Sequence, residues 1–575
     1  MPTPRSAEGS RWKFAIIAIP YLWLIAFLLV PFGLILKISL SDQARARPPY
    51  LPQFDWSTGL TAFLRGLDFE NFAVLATDFF YGRSYLQSVQ IAAIGTILVL
   101  LVAYPLAYGL TRAPPRWRGF LFTLVILPFW TSFLVRIYAW MIILKPNGFL
   151  DMGGQLLGLS PGTLALLNST WAVLIGIVYS YLPFMVLPLY TTLDKIDGTF
   201  CEAARDLGAS AARCFVTIII PLSLPGVMAG SLLVFIPMVG EFVIPELLGG
   251  VGSAMIGKTL WTEFFNNQDW PLSAAIAIGM LVILFVPIVL LQRVQVAATM
   301  NETGSNGGAQ RHFSWINKLS VILGLAFIYL PILLVIAFSF NDSRLVTIWG
   351  GFSLKWYGTL FQNTQLLDSA WLSFKLACLS ATIATVLGVL AAITLVRFQI
   401  FFGKALFNFL LMVPIIMPGM IIGLALLLFF VAIGLPRGFY TLLLSHATFG
   451  MCFVAVIVQA RLANFDRSLE EAAFDLGSSS LQTFRYVTLP LIFPSILSGW
   501  ALAFVLSLDD LIISSLTTGP NATTLPMRIF SQVRLGVTPE INAASTLMIL
   551  AVVLCLGLGM MAQSRKSSKL KGTNP

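Results

Sequence analysis

Gly252-Ser253-Ala254-Met255-Ile256-Gly257-Lys258-Thr259 satisfies the phosphate-loop pattern letter for letter. In that motif backbone N–H groups cradle phosphates, the lysine reaches the outer phosphates and the hydroxyl meets magnesium. The chemistry also demands a buried strand before the loop, a helix after it and an acidic magnesium partner in a soluble α/β domain. Here the motif falls between two long apolar stretches, on the side expected to face away from ATP, and no second ATPase element accompanies it. No catalytic residue is therefore assigned. Neither a nucleophile–base pair nor a paired acid/base constellation is visible elsewhere. Cys201, Cys214, Cys378, Cys452 and Cys555 lack paired ligand spacing, so neither a metal site nor a disulfide framework is expected.

A different chemistry is suggested by Glu241, Asp509 and Asp510, which stand at the ends of apolar stretches. Carboxylates at membrane depth are costly and mark either a solute pathway or a paired structural site. Such acids would attract a cationic solute, and Trp130, Tyr138, Trp140, Tyr179, Tyr181 and Trp500 are placed to add cation–π contacts. Aromatic residues also anchor helices at the interface, so that reading stays open beside the first. Arg136 and Lys375 either pair with the acids or snorkel to the surface. His446 reads as a hydrogen-bonded packing residue.

The elements that must position these residues are membrane helices. Of 575 residues, 58% are hydrophobic and only 10% charged, and mean hydropathy is +0.87, which excludes an ordinary soluble domain. Stretches of roughly 20 apolar residues fall into two sets of six. The first set runs 14–36, 87–111, 119–143, 170–192, 217–240 and 273–292; the second runs 317–340, 371–396, 405–431, 441–461, 487–508 and 541–561. The fold class is thus an all-α polytopic membrane protein of about 12 transmembrane helices in two parallel six-helix repeats. The first stretch, after Arg5, Arg11 and Lys13, is too long for a signal peptide and reads as a retained helix. The net charge of +10 follows topology rather than nucleic-acid binding. With the N-terminus inside, the cytoplasmic segments hold 21 of the 35 Lys and Arg residues but only 10 of the 25 acids. This is the positive-inside asymmetry, and both termini are expected in the cytoplasm.

Ser88 and Arg112 match Ser373 and Arg397, 285 residues on, whereas Glu202, Gly208, Pro221, Gly230 and Glu241 match Glu471, Gly477, Pro490, Gly499 and Asp510 at 269. A longer outer loop in the first half accounts for the change. The expected organisation is a first half over 1–296, a glycine-rich flexible linker over 297–316 and a second half over 317–575. Each half carries one matched cytoplasmic loop, at about 194–221 and 463–490. In the first, Phe200, Ala203, Ala204 and Leu207 line one helical face while Glu202 and Asp206 point elsewhere. Leu469, Ala472, Ala473 and Leu476 repeat that face, with Glu471 and Asp475 outside it. Paired alanines allow close approach of another backbone, and Gly208 or Gly477 permits a sharp turn at the helix end.

These loops resemble the signature of permease subunits of binding-protein-dependent ATP-binding cassette importers: Glu-Ala-Ala, three residues, Gly, nine residues, Ile, one residue, Leu-Pro. The first copy reads Glu202-Ala203-Ala204, Gly208, Ile218 and Ile220-Pro221; the second reads Glu471-Ala472-Ala473, Gly477, Val487 and Leu489-Pro490. The resemblance implies type I permease halves whose loops dock on a separate ATPase. The first half further resembles one membrane subunit of bacterial putrescine importers, through Trp130-Thr131-Ser132-Phe133-Leu134-Val135-Arg136 and Gly240-Glu241-Phe242-Val243-Ile244-Pro245-Glu246. The second is similar to the companion subunit, through Leu506-Ser507-Leu508-Asp509-Asp510-Leu511 and Gly536-Val537-Thr538-Pro539-Glu540-Ile541-Asn542. Spermidine permeases resemble it too. The implied partners are two ATPase copies, a periplasmic binding protein and a polyamine, with ATP and magnesium used by the ATPase and no cofactor bound by this chain. Alternatives are an importer of the same class for ferric iron or another solute, and a secondary transporter driven by an ion gradient.

Overall fold

The computed structural model describes residues 7–53, 59–300, 313–344, 348–398, 400–535 and 539–550. Most of the expected linker, the end of the twelfth span and the basic tail lie outside the described residues. Within them, ten helices are long and apolar enough to cross a bilayer, and a bent pair adds an eleventh. Residues 539–550, where the twelfth span begins, are helical as well.

The third span of each half is not the continuous helix that its hydropathy suggests. In the first half, Pro115–Ile126 gives way to a 3-10 turn at Leu127–Trp130, and a new helix runs Phe133–Leu144. In the second, Lys404–Ile416 and Gly419–Ala432 meet at a bend of 117°. Proline explains both breaks. Pro128, Pro414 and Pro418 cannot donate a helical hydrogen bond, and a residue before proline is pushed toward extended backbone. Met417, just before Pro418, accordingly has ψ of 149°. In the first half Leu127, just before Pro128, stays helical with ψ of −44°, and the chain turns extended only at Thr131, after the 3-10 turn, with ψ of 150°.

A single π turn opens the fifth span of each half, at Phe215–Ile219 and Phe484–Thr488, immediately before Pro221 and Pro490. Both turns precede a residue that cannot close the α-helical ladder, the setting in which such bulges arise. Small residues then let helices approach closely, as membrane packing favours. A Cβ on Gly230 would lie 2.7 Å from Met185 Sδ, and one on Gly388 would lie 2.8 Å from the Met451 carbonyl oxygen.

Packing divides the chain differently from its repeat. One compact unit joins 1–83 and 259–282 to 368–528; the other joins 84–258, 283–367 and 529–575. In the first unit, the span Phe14–Ser39 packs on helices of the second half. There Leu24 and Leu28 enter a core with Leu387, Phe407, Met451 and Val458. Trp23 Nε1 donates to Thr448 Oγ1 at 3.0 Å, and Thr394 Oγ1 donates to the Ile16 carbonyl at 3.2 Å. The second unit contains the reciprocal exchange. Its span Trp315–Ser339 receives the Tyr179 hydroxyl at the Ile328 carbonyl, 3.0 Å away, while Tyr329 donates to the Leu124 carbonyl at 2.8 Å. Each half thus lends its first helix to the packing of the other half's helices.

Candidate docking loops and membrane acids

The two loops marked in the sequence are near-superposable in their hydrogen bonding. Asp197 Oδ1 accepts from the Thr199 N–H at 3.0 Å and opens the helix Thr199–Asp206; Asp466 Oδ1 accepts from the Ser468 N–H at 3.0 Å and opens Ser468–Asp475. The Ser468 hydroxyl and N–H together hold the Asp466 carboxyl below its usual range. At the far ends the Gly208 N–H meets the Arg205 carbonyl at 2.8 Å, and the Gly477 N–H meets the Phe474 carbonyl at 2.9 Å. Gly208 has φ of +85° and Gly477 of +84°, the left-handed conformation that only glycine adopts freely. Ser210 and Ser479 then cap the next short helices, which run into the π turns.

Neither loop helix contains a buried residue. Glu202, Ala203, Asp206, Glu471, Ala472 and Asp475 are exposed, Ala204 and Ala473 half-buried, and Leu207 and Leu476 each 89% exposed. The same exposed apolar side chain thus ends the loop helix in both halves.

Two ties at these loops had no visible sequence signal. Cys201 and Cys214 form a disulfide with a Cα separation of 5.8 Å, which corrects the expectation that no such bridge exists. Their 13-residue separation resembles no framework, and only the turn at Gly208 brings them together. In the second loop Glu470 takes the tying role: its Oε1 meets Arg397 at 2.5 Å and accepts from the Thr488 hydroxyl.

Glu241 and Asp510 occupy matched places after the fifth spans, and each caps the short helix that follows. Glu241 is 6% exposed, and its Oε1 accepts from the N–H groups of Phe242, Val243 and Ile244 while Oε2 accepts from the Tyr181 hydroxyl at 2.6 Å. Asp510 accepts from the Ser514 N–H at 2.6 Å and lies 3.5 Å from His446 Nε2. The imidazole also reaches Ser507 at 2.7 Å and Ser514 at 3.0 Å, as a packing histidine would. A recess beside it is lined by Phe449, Leu506, Ser507 and Asp510. Asp509 ends the fifth span of the second half. Tyr138 is fully buried, and among the described residues nothing partners its hydroxyl; the Ser132 and Ser180 hydroxyls of the same unit are likewise unanswered. The Trp130 backbone ends the 3-10 turn, and its side chain lies outside what is described.

The phosphate-loop look-alike lies in a setting unlike the one that motif requires. The segment before it forms the helix Val243–Leu247 rather than a strand, and Lys258 pairs with Glu246 at 3.2 Å. A Cβ on Gly257 would sit 2.5 Å from the Gly240 carbonyl oxygen, so glycine here allows two backbones to touch. Ser88 Oγ accepts from the Ile256 N–H at 2.6 Å, and its repeat mate Ser373 accepts from the Leu525 N–H at 2.8 Å. One capping device is used twice.

Two like sets of membrane helices, each carrying one exposed loop helix, give the plan of a membrane protein built from two matched halves. The chain belongs to the family described as binding-protein-dependent transport system inner membrane component, which matches residues 100–299 and again 384–568. The putrescine transport system permease protein PotI of Escherichia coli K12 is 50% identical over 238 residues, covering 40% of this chain and 85% of PotI. The spermidine/putrescine permease protein PotB of Haemophilus influenzae is 36% identical over 285 residues, covering 50% of this chain and 94% of its own. PotC of Escherichia coli K12, from a spermidine/putrescine system, is 42% identical over 241 residues, covering 42% and 91% respectively. Each relative is nearly spanned yet accounts for no more than half of this chain, which is a fused pair of ABC-importer permease subunits. A chain from a bacterial alginate ABC transporter structure aligns with 52% of this one at 15% identity and a TM-score of 0.38. Family membership makes this a multi-pass inner-membrane permease whose partners are an ATPase and a substrate-binding protein.

Proposed function

We propose that this chain forms the whole membrane pathway of an ATP-driven importer for putrescine or a closely related polyamine. The observation that carries the mechanism is the pair of matched, exposed loop helices. Two docking loops in one chain call for two copies of the ATPase, one on each of Glu202–Gly208 and Glu471–Gly477. Closure of the ATPase pair on ATP would move both loops, and the helical continuation through the π turns into Ala211–Val239 and Ser480–Asp509 would carry that motion to the pathway. The chain itself neither binds nor hydrolyses ATP; nucleotide and magnesium belong to the partner.

Polyamine as cargo is supported by PotI, PotB and PotC, whose names give putrescine or spermidine systems. A periplasmic binding protein would deliver the amine to the outer side, with both termini in the cytoplasm. Glu241, Asp509 and Asp510 give the pathway a negative bias. Because Glu241 and Asp510 cap short helices, they would act by shaping and polarising the wall, with Trp130 and the buried Tyr138 as the aromatic candidates for contact with the solute.

The test is ATP hydrolysis by the reconstituted assembly of chain, ATPase and binding protein. Hydrolysis should rise when the binding protein is loaded with putrescine and stay low with iron or sugars. Hydrolysis by the chain without the ATPase would contradict the assignment.

A further inference from the structure

The two docking loops are built alike but held differently. At the position where the second loop has Glu470, tied to Arg397 and Thr488, the first has Cys201; opposite Thr483 it has Cys214. Arg112, the counterpart of Arg397, lies 4.9 Å over the Tyr108 ring. The first loop's corresponding tie is the Cys201–Cys214 bridge, which fastens the helix Thr199–Asp206 to the start of the fifth span.

We propose that Cys201 and Cys214 are a peroxide-responsive dithiol that sets how firmly the first loop is held for docking. This rests on the reading of the loop as a cytoplasmic docking element. In that compartment thiols are kept reduced, and disulfides that do form are transient and redox-sensing. The pair is positioned for that use. Their Cα atoms lie within bridging distance, Cys201 is partly exposed, and Cys214 is 2% exposed directly behind it. The Cys201 thiolate attacks one peroxide oxygen, the O–O bond breaks, and the departing hydroxide takes a proton to become water. Cys201 is left as a sulfenic acid. The Cys214 sulfur then displaces the sulfenic hydroxyl, the S–S bond forms, and a second water leaves with the thiol proton. Two thiols lose two electrons in all while one peroxide becomes two waters. A dithiol reductant reverses the change by exchange. Oxidation therefore gives the first loop a covalent version of the tie that Glu470 gives the second, and preorganisation of this kind strengthens binding.

The experiment uses the full chain in lipid nanodiscs, treated with graded hydrogen peroxide, cleared with catalase and then either kept oxidised or reduced with dithiothreitol. Mass spectrometry after alkylation reads the linked peptide, and titration with the ATPase reads docking. The expected result is a reversible Cys201–Cys214 peptide together with docking about threefold or more tighter in the oxidised chain. Cys201→Ser and Cys214→Ser should each dock with an affinity that peroxide does not change. No linked peptide, or a linked peptide with unchanged affinity, would overturn the proposal while leaving docking intact. A chain that binds no ATPase in either redox state would instead overturn the docking assignment, and the regulation with it.

Discussion

Replacing both loop glycines by alanine isolates the role of the turn. Gly208 and Gly477 sit at φ of +85° and +84°, and an added Cβ would meet no atom within 4 Å at either site. Steric clash therefore contributes nothing, and the cost is conformational. Holding a non-glycine residue in left-handed backbone costs about 1–2 kcal/mol. Each alanine should thus favour the unturned loop by about 5- to 30-fold at 1.4 kcal/mol per decade. If the loops contribute independently, the double variant should bind the ATPase about 25- to 900-fold more weakly. Asparagine tolerates this backbone, so Gly208→Asn with Gly477→Asn should recover most of the affinity. Aspartate shares that tolerance, so a Gly→Asp pair would test added charge more than the turn. The assay is ATPase binding to the detergent-solubilised chain, with thermal stability as a control for folding. Wild-type affinity in the double alanine variant, or equal losses with alanine and asparagine, would refute the reasoning.

Further outcomes follow from the packing. Gly388→Ala should lower thermal stability by about 1–3 kcal/mol because its Cβ meets the Met451 backbone, whereas Gly119→Ala, in open space, should be neutral or slightly stabilising. Ser88→Ala and Ser373→Ala should each cost about 1–3 kcal/mol, since each strands a buried helix N–H; equal melting midpoints would contradict this. Glu241→Gln and Asp510→Asn keep an acceptor for the caps but remove charge, so amine uptake should fall with ATPase binding unchanged. Normal uptake in both variants would remove the acids from the pathway.

Much of this architecture could be read along the chain because it depends on local spacing. The Glu-Ala-Ala loops, their glycine turns and the matched Ser88 and Ser373 are short-range features that repeat at fixed offsets. The breaks in the third spans were also legible, in Pro128, Pro414 and Pro418, but a long apolar run obscures a proline bend when hydropathy alone is weighed. What spacing could not reveal was contact between distant segments. Trp23 on Thr448 and Tyr179 on Ile328 arise from exchanged helices, and nothing near either residue announces its partner. Cys201 and Cys214 were hidden for a related reason: their approach depends on the backbone sign at Gly208. The membrane acids were found by type, but their work as helix caps required the turns after the fifth spans to be seen.

The most direct measurement is uptake of radiolabelled putrescine into proteoliposomes holding the chain with its ATPase, and with loaded binding protein on the receptor-facing side. The account predicts accumulation that requires ATP on the loop side, persists when ion gradients are collapsed and is lost in the double alanine variant. Uptake driven by an ion gradient without the ATPase, or no amine uptake with every component present, would contradict it.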